Sequence, residues 1–214
     1  MGLTPPFLPL LVLTDRLQAA RLGLVDTVAA AVEGGARTVV LREKDLSRRA
    51  REDLAQHLAH LLAPAGGTLL VAGPDVALAR VVGASGIHLS ATDARPDDTS
   101  DLVVGRSCHD RDEVQAAAAE GADYATISPV AVTSSKPGYG PALGLAGLAK
   151  LTSATELPLV ALGGVTEASA GDCLAAGAVG VAVMGAVMAS DDPAQVVSRL
   201  VASLCGATTG PGRR

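Results

Sequence analysis

Aromatic side chains are almost missing: the 214 residues hold two Tyr, one Phe and no Trp. Surfaces that stack nucleic-acid bases depend on such rings, so none is expected here. Clustered positive charge is missing as well. Lys and Arg number 17 against 22 Asp and Glu, for a net charge of -5 and a pI near 5.3. That is the reverse of the basic stripe that a phosphate backbone attracts, and nucleic acid is excluded as an expected partner. No apolar run approaches the roughly 18 residues of a membrane span, so no membrane partner is expected either. The apolar stretch 7–13 lacks preceding basic residues and stops at Thr14-Asp15. It reads as a buried first strand, not a secretion signal. Cysteine is sparse. Cys108, Cys173 and Cys205 have no CxxC spacing and cannot all pair, which suits reduced thiols and a cytosolic location. No grouping of His and Cys has zinc spacing.

What remains is aliphatic. Short runs of Val, Leu and Ile recur at 9–14, 38–42, 68–72, 86–89, 102–107, 124–128, 158–162 and 180–184. They are continuous rather than alternating, as parallel strands covered by helices require. Helical stretches are expected at 24–33, 48–62, 75–82, 111–120, 145–151, 167–176 and 193–204. Glycines at Gly34-Gly35, Gly121 and Gly177 fall where a helix wants a left-handed residue to end it. Segment 90–101 is Pro- and Asp-rich, and its helix should be rudimentary. Strand–helix alternation of this kind predicts a single (β/α)8 TIM barrel over residues 1–205, with 206–214 a disordered tail.

In such a barrel, chemistry gathers where strands end. The seventh and eighth runs end in Gly163-Gly164 and Gly185-Ala186. Glycine lets backbone N–H groups come close to an anion, and each corner leads toward a helix N-terminus. These four residues are candidate phosphate binders; tight turns alone are the plainer explanation. Loop 130–141 offers Thr133, Ser135 and Lys136 as further phosphate contacts, with a merely polar surface loop as the alternative. Arg42 and Lys44 flank Glu43, so in an extended segment both cations share a face. That face suits an anionic substrate; a rim salt-bridged to Glu43 and neighbouring acids is equally consistent. His109 follows Ser107-Cys108 at a strand end and is the candidate acid/base. His88, inside an apolar run, reads as a packed, hydrogen-bonded residue, and Cys108 as a small buried one.

Seven stretches together carry a resemblance. They are Leu13-Thr14-Asp15, Leu41-Arg42-Glu43-Lys44, Gly86-Ile87-His88-Leu89, Gly105-Arg106-Ser107-Cys108-His109, Gly121-Ala122-Asp123-Tyr124, 133–138 and Ala161-Leu162-Gly163-Gly164-Val165. Their order resembles the thiamin phosphate synthase and thiazole tautomerase superfamily along nearly the whole chain. The resemblance implies an enzyme of thiamin biosynthesis acting on thiazole phosphate. It also implies substrate contacts from Arg42, Lys44, Ser107, Thr133, Ser135 and Lys136, and metal binding by Asp93 in a synthase. Two departures bear on the reaction. Val40 stands where synthases carry Gln, and Gly73-Pro74 (or Ala72-Gly73) where they carry Asn-Asp. Asp75, just beyond, is a further candidate carboxylate.

These departures make a tautomerase-like isomerase the leading expectation. His109 is its acid/base, Ser107 orients substrate, and no metal is needed. A thiamin phosphate synthase is the alternative, with Mg²⁺ at Asp93. A non-catalytic barrel that binds a phosphorylated ligand is the third reading. In each case the partner is a small phosphorylated heteroaromatic molecule. The sequence leaves the oligomeric state open, a homodimer being among the forms such barrels take.

Overall fold

The computed structural model describes residues 9–132 and 141–208. Eight parallel strands close in chain order: β1 (Leu10–Leu13), β2 (Thr38–Leu41), β3 (Thr68–Ala72), β4 (Gly86–Leu89), β5 (Val103–Cys108), β6 (Tyr124–Ile127), β7 (Leu159–Leu162) and β8 (Gly180–Val183). β8 pairs back onto β1, with Leu11 opposite Ala182. The helices are α1 (Leu24–Glu33), α2 (Arg48–Leu62), α3 (Val76–Val81), α4 (Arg111–Ala119), α5 (Gly144–Thr152), α6 (Glu167–Ala175), α7 (Gly185–Met188) and α8 (Pro193–Thr208). The fold is the expected (β/α)8 barrel.

Each strand has two buried faces, which is why the strand sequences are apolar without alternation. Leu11, Leu13, Val40, Leu70, Ala72, Tyr124, Val160 and Ala182 pack inside the barrel as one cluster. Their chain neighbours, such as Val12, Val39, Leu41 and Val71, pack outward against the helices. Burying one such side chain contributes roughly 1.5–3 kcal/mol, so the two shells together dominate the fold's stability. Helix starts are fixed locally. The Ser47, Asp75 and Asp110 side chains accept from the backbone N–H groups of Ala50, Leu78 and Glu113, satisfying donors that a helix leaves unpaired.

Several expectations shift. The last helix runs past Leu204 to Thr208, so the expected tail begins as helix; residues 209–214 lie outside the described residues. α7 was not foreseen, because a four-residue helix has no periodicity to read. Between β4 and β5 no helix forms among the described residues. After α1 the left-handed residue is Gly35 (φ 110), one later than Gly34, while Gly121 and Gly177 take positive φ as expected.

Candidate active site

A cavity of about 980 Å³ opens at the C-terminal ends of the strands. Strand ends from all around the barrel line it, including Leu13, Arg42, Ala72, His88, Ser107, Ser128, Leu162 and Met184. Closure of the barrel brings these together, although the chain separates Leu13 from Met184 almost end to end. Of the expected site residues, Arg42, Lys44, Ser107, His109, Gly163, Gly164, Gly185 and Ala186 all line the cavity. Thr133, Ser135 and Lys136 lie outside the described residues. Asp93 does not line the wall itself but meets a residue that does.

The cations divide the work. Arg42 Nη1 donates to the Thr14 carbonyl at 3.3 Å and lies against Met184 Sδ. Among the described residues it has no carboxylate partner. A half-buried guanidinium without a carboxylate partner at a cavity wall has donors that could serve an anion from outside. Lys44 Nζ donates to Asp93 Oδ2 at 3.2 Å. The salt-bridged rim weighed as the alternative thus forms in part, through Asp93 and not Glu43; Glu43 is bound to Arg16, accepting from its backbone N–H at 3.2 Å and its Nη1 at 3.3 Å.

Asp93 sits in the β4–β5 loop, and Arg106 holds that loop in place. The buried guanidinium donates to the Ser90, Ala91 and Asp93 carbonyls at 3.0, 3.3 and 2.9 Å and to Glu120 at 2.6 Å. The sequence reading missed this clamp, since an Arg within a strand carries no signal of where its fork will reach. Burial pushes the Asp93 carboxyl up. Hydrogen bonds from Ser90 and Lys44 prevail, and its pKa lies below the usual carboxylate range. Asp75 is spent elsewhere: it caps α3 and pairs with Arg48 at 3.2 Å, away from the cavity lining. Among the described residues no group of three or more His, Cys, Asp or Glu is placed to hold a metal. A Mg²⁺ ion carried mainly by substrate phosphate oxygens would need only one or two carboxylates, and Asp93, beside Lys44 of the lining, would be compatible with that.

The two glycine corners meet on one side of the mouth, because β7 and β8 are neighbours with Leu162 opposite Ala182. Gly163 and Gly164 have φ of 89° and 68°. A Cβ on Gly163 would fall 2.9 Å from Pro129 Cα, and one on Gly164 2.6 Å from the Val132 carbonyl. The β6–α5 connection is thus packed directly onto this corner, and Ala131 N donates to Gly163 O at 2.9 Å. Glycine is required for the turn and the close approach whatever binds there. Gly185 and Ala186 open α7, so their N–H groups have no intrahelical acceptor.

The histidines behave differently from one another. His109 directs Nδ1 at Glu113 Oε2, 2.9 Å away, and the same carboxylate accepts the His109 backbone N–H at 2.7 Å. The first turn of α4 therefore fixes the ring at the rim. His88 is buried. Its Nδ1 lies 2.9 Å from Tyr124 Oη and its Nε2 3.0 Å from Ser107 Oγ. Burial, and then Lys44, Arg106 and Arg42, push its pKa down to about 4. It is packed and hydrogen-bonded as expected, yet it also reaches the cavity wall. Burial pushes the Cys108 thiol up to about 12. It is no activated nucleophile, in line with the sequence reading.

The fold and this mouth define a (β/α)8 barrel enzyme with a polar, cation-bearing cavity at the strand ends. The chain belongs to the thiamine monophosphate synthase family, whose model matches residues 10–187. It is 41% identical over 201 residues to a thiamine-phosphate synthase of Albidiferax ferrireducens, covering 90% of each chain. It is 40% identical over 209 residues to one of Xanthobacter autotrophicus, covering 94% of this chain and 98% of that one. A solved thiamine phosphate pyrophosphorylase from Pyrococcus furiosus superposes with a TM-score of 0.83 at 29% identity, covering 95% and 98% of the two chains. The superfamily resemblance is therefore established, and the order of the two enzymatic readings is reversed. The relatives are synthases, and the tautomerase reading, which leaned on Val40 and Gly73-Pro74, has no support among them.

Proposed function

We propose that the protein is a thiamine-phosphate synthase, coupling thiazole phosphate to a pyrimidine pyrophosphate and releasing pyrophosphate. The Arg42 guanidinium at the cavity wall, without a carboxylate partner among the described residues, in a chain about 40% identical to synthases over its length, carries the reading. In the reaction the bond from the pyrimidine carbinol carbon to pyrophosphate breaks, its electron pair leaving with the oxygen. The thiazole nitrogen donates its lone pair to that carbon. The step fails without stabilisation of the departing negative charge.

This chain's residues are suited to that task. Arg42 offers a planar fork to a phosphate oxygen pair. Lys44 adds a second cation, held near by Asp93 at 3.2 Å. Gly163, Gly164, Gly185 and Ala186 follow on the neighbouring arc, Gly185 directly after the Met184 that Arg42 touches, and would hold the thiazole's phosphate through backbone N–H groups. Thr133, Ser135 and Lys136, which lie outside the described residues, are the further pyrophosphate contacts that the family resemblance implies. Ser107 orients the substrate, and His109, anchored by Glu113, sits at the rim where a proton can be exchanged with the heterocycles. Asp93, together with pyrophosphate oxygens, would hold a Mg²⁺ ion, whose charge would further neutralise the leaving group. A cytosolic setting agrees with the buried thiols of Cys108 and Cys173.

The test is incubation of purified protein with both substrates and Mg²⁺, following thiamin phosphate. Arg42→Met should lower kcat/KM by about 10²–10³, the usual loss for one preorganised electrostatic contact. Absence of thiamin phosphate, with the thiazole instead isomerised in a His109-dependent way, would restore the tautomerase reading.

A further inference from the structure

We propose that Tyr124 and His88 form a relay that fixes the Ser107 hydroxyl as a hydrogen-bond donor into the cavity, making His88 a positioning residue. As a statement about substrate, this rests on the synthase reading above.

The relay exists because of a missing side chain. In the sheet, His88 on β4 stands opposite Gly105 on β5, which stands opposite Tyr124 on β6. Residues at one level on adjacent strands normally keep those two strands apart from each other. Here a Cβ on Gly105 would fall 2.2 Å from Tyr124 Cζ and 2.4 Å from its Oη. The phenol ring lies across the glycine and reaches His88, its ring centroid 5.5 Å from the imidazole. The next residue up the inner face of β5 is Ser107, which completes the chain at 3.0 Å from Nε2.

Proton positions follow from burial. Tyr124 is fully buried, and a buried hydroxyl must donate to some acceptor. Among the described residues its partner is His88 Nδ1 at 2.9 Å. Nδ1 must then be the bare nitrogen. The imidazole is enclosed among Lys44, Arg106 and Arg42, with Asp93 the nearby acid, and it stays neutral. A neutral ring with bare Nδ1 carries its proton on Nε2. Nε2–H therefore donates to Ser107 Oγ; Thr126 Oγ1 at 3.5 Å is at best a secondary acceptor. With its lone pair engaged by the imidazole, Ser107 has its own proton to give. Among the described residues it has no second partner, and its side chain lines the cavity. It is therefore preset to meet an acceptor atom on the substrate. If Nδ1 carried the proton instead, Nε2 would accept from Ser107, and the cavity would lose its donor.

Two measurements decide this. Long-range ¹⁵N–¹H spectra of the ligand-free protein, with His88 assigned by comparison with His88→Gln, should show a neutral ring protonated on Nε2 from about pH 6 to 8. A ring protonated on Nδ1, or a mixture of tautomers, would overturn the relay whether or not the chain makes thiamin phosphate. Kinetics then test its use. Tyr124→Phe keeps the ring and removes only the hydroxyl; kcat/KM should fall about five- to tenfold, the worth of one hydrogen bond. Tyr124→Phe with Ser107→Ala should be no worse than Ser107→Ala alone. His88→Gln, whose amide can donate to Ser107, should keep more activity than His88→Leu. Losses that multiply in the double variant, at unchanged urea stability, would reduce Tyr124 to a packing role.

Discussion

Two arcs of the barrel interior are built from different materials. Along β1, β2, β3, β7 and β8 the inward residues are mainly aliphatic, Leu11, Leu13, Val40, Leu70, Ala72, Val160 and Ala182, closely packed, with Thr38 and Thr68 at the starts of β2 and β3. Along β4, β5 and β6 they are His88, Gly105, Ser107, Tyr124 and Thr126, joined by hydrogen bonds. The apolar arc stabilises through area and shape, which tolerate imprecision at a cost in stability alone. The polar arc stabilises only while every group keeps its partner, since an unsatisfied buried polar atom costs about 1–3 kcal/mol. The difference sets a hydrogen-bonded network in one wall of the barrel, and aliphatic packing beneath the cations and glycine corners in the other.

Breaking the apolar arc should give the largest change in stability. Leu70→Ala removes a fully buried side chain and should lower the free energy of unfolding by about 2–5 kcal/mol in a urea titration. Its kcat/KM should stay within a few fold of the parent, because the cavity wall is untouched. A smaller but differently shaped effect is expected from Gly105→Ala. The added methyl meets the Tyr124 ring at 2.2 Å, so stability should fall by about 1–3 kcal/mol. Activity should fall with it, as Tyr124 is pushed off His88. If Gly105→Ala cost stability and left kcat/KM alone, the two arcs would not differ in the way described.

The last effect is pH-linked, accumulates gradually as pH falls, and sharpens the same contrast. His88 has a folded pKa near 4 against 6.5 in the unfolded chain. Below pH 6.5 the unfolded state takes up a proton that the folded state refuses. Stability should therefore fall as pH drops from 6.5 toward 4, by up to roughly 1.4 kcal/mol per unit. Above 6.5 this contribution is flat. His88→Gln should unfold with a shallower pH dependence across that window, measured by urea midpoints at constant ionic strength. Carboxylates with lowered pKa, Asp93 among them, act only below their ordinary value of 3.8 and do not mimic the effect.

Legibility varied with the range of the interactions concerned. The glycine corners, the cations flanking Glu43 and the Ser107–His109 stretch were readable because each sits at the end of a short apolar run. Asp75 was not: its helix-capping role and its pairing with Arg48 depend on where α2 and α3 lie relative to each other. Arg106 is harder still. Its neighbours in sequence suggest substrate chemistry, whereas its guanidinium ties down the loop that carries Asp93. The ranking of reactions was misjudged from Val40 and Gly73. Two positions, neither of them lining the cavity, weigh little against similarity along the whole chain.

The order of aliphatic runs, caps and glycines was enough on its own to specify a closed eight-stranded barrel, because strand burial on both faces and local turn chemistry are short-range properties. Which polar residues become partners was decided only on closure. Tyr124 reaches His88 because Gly105 happens to stand between them at one level of the sheet. Cross-strand register is a relation between segments far apart in the chain, and a linear pattern does not encode it.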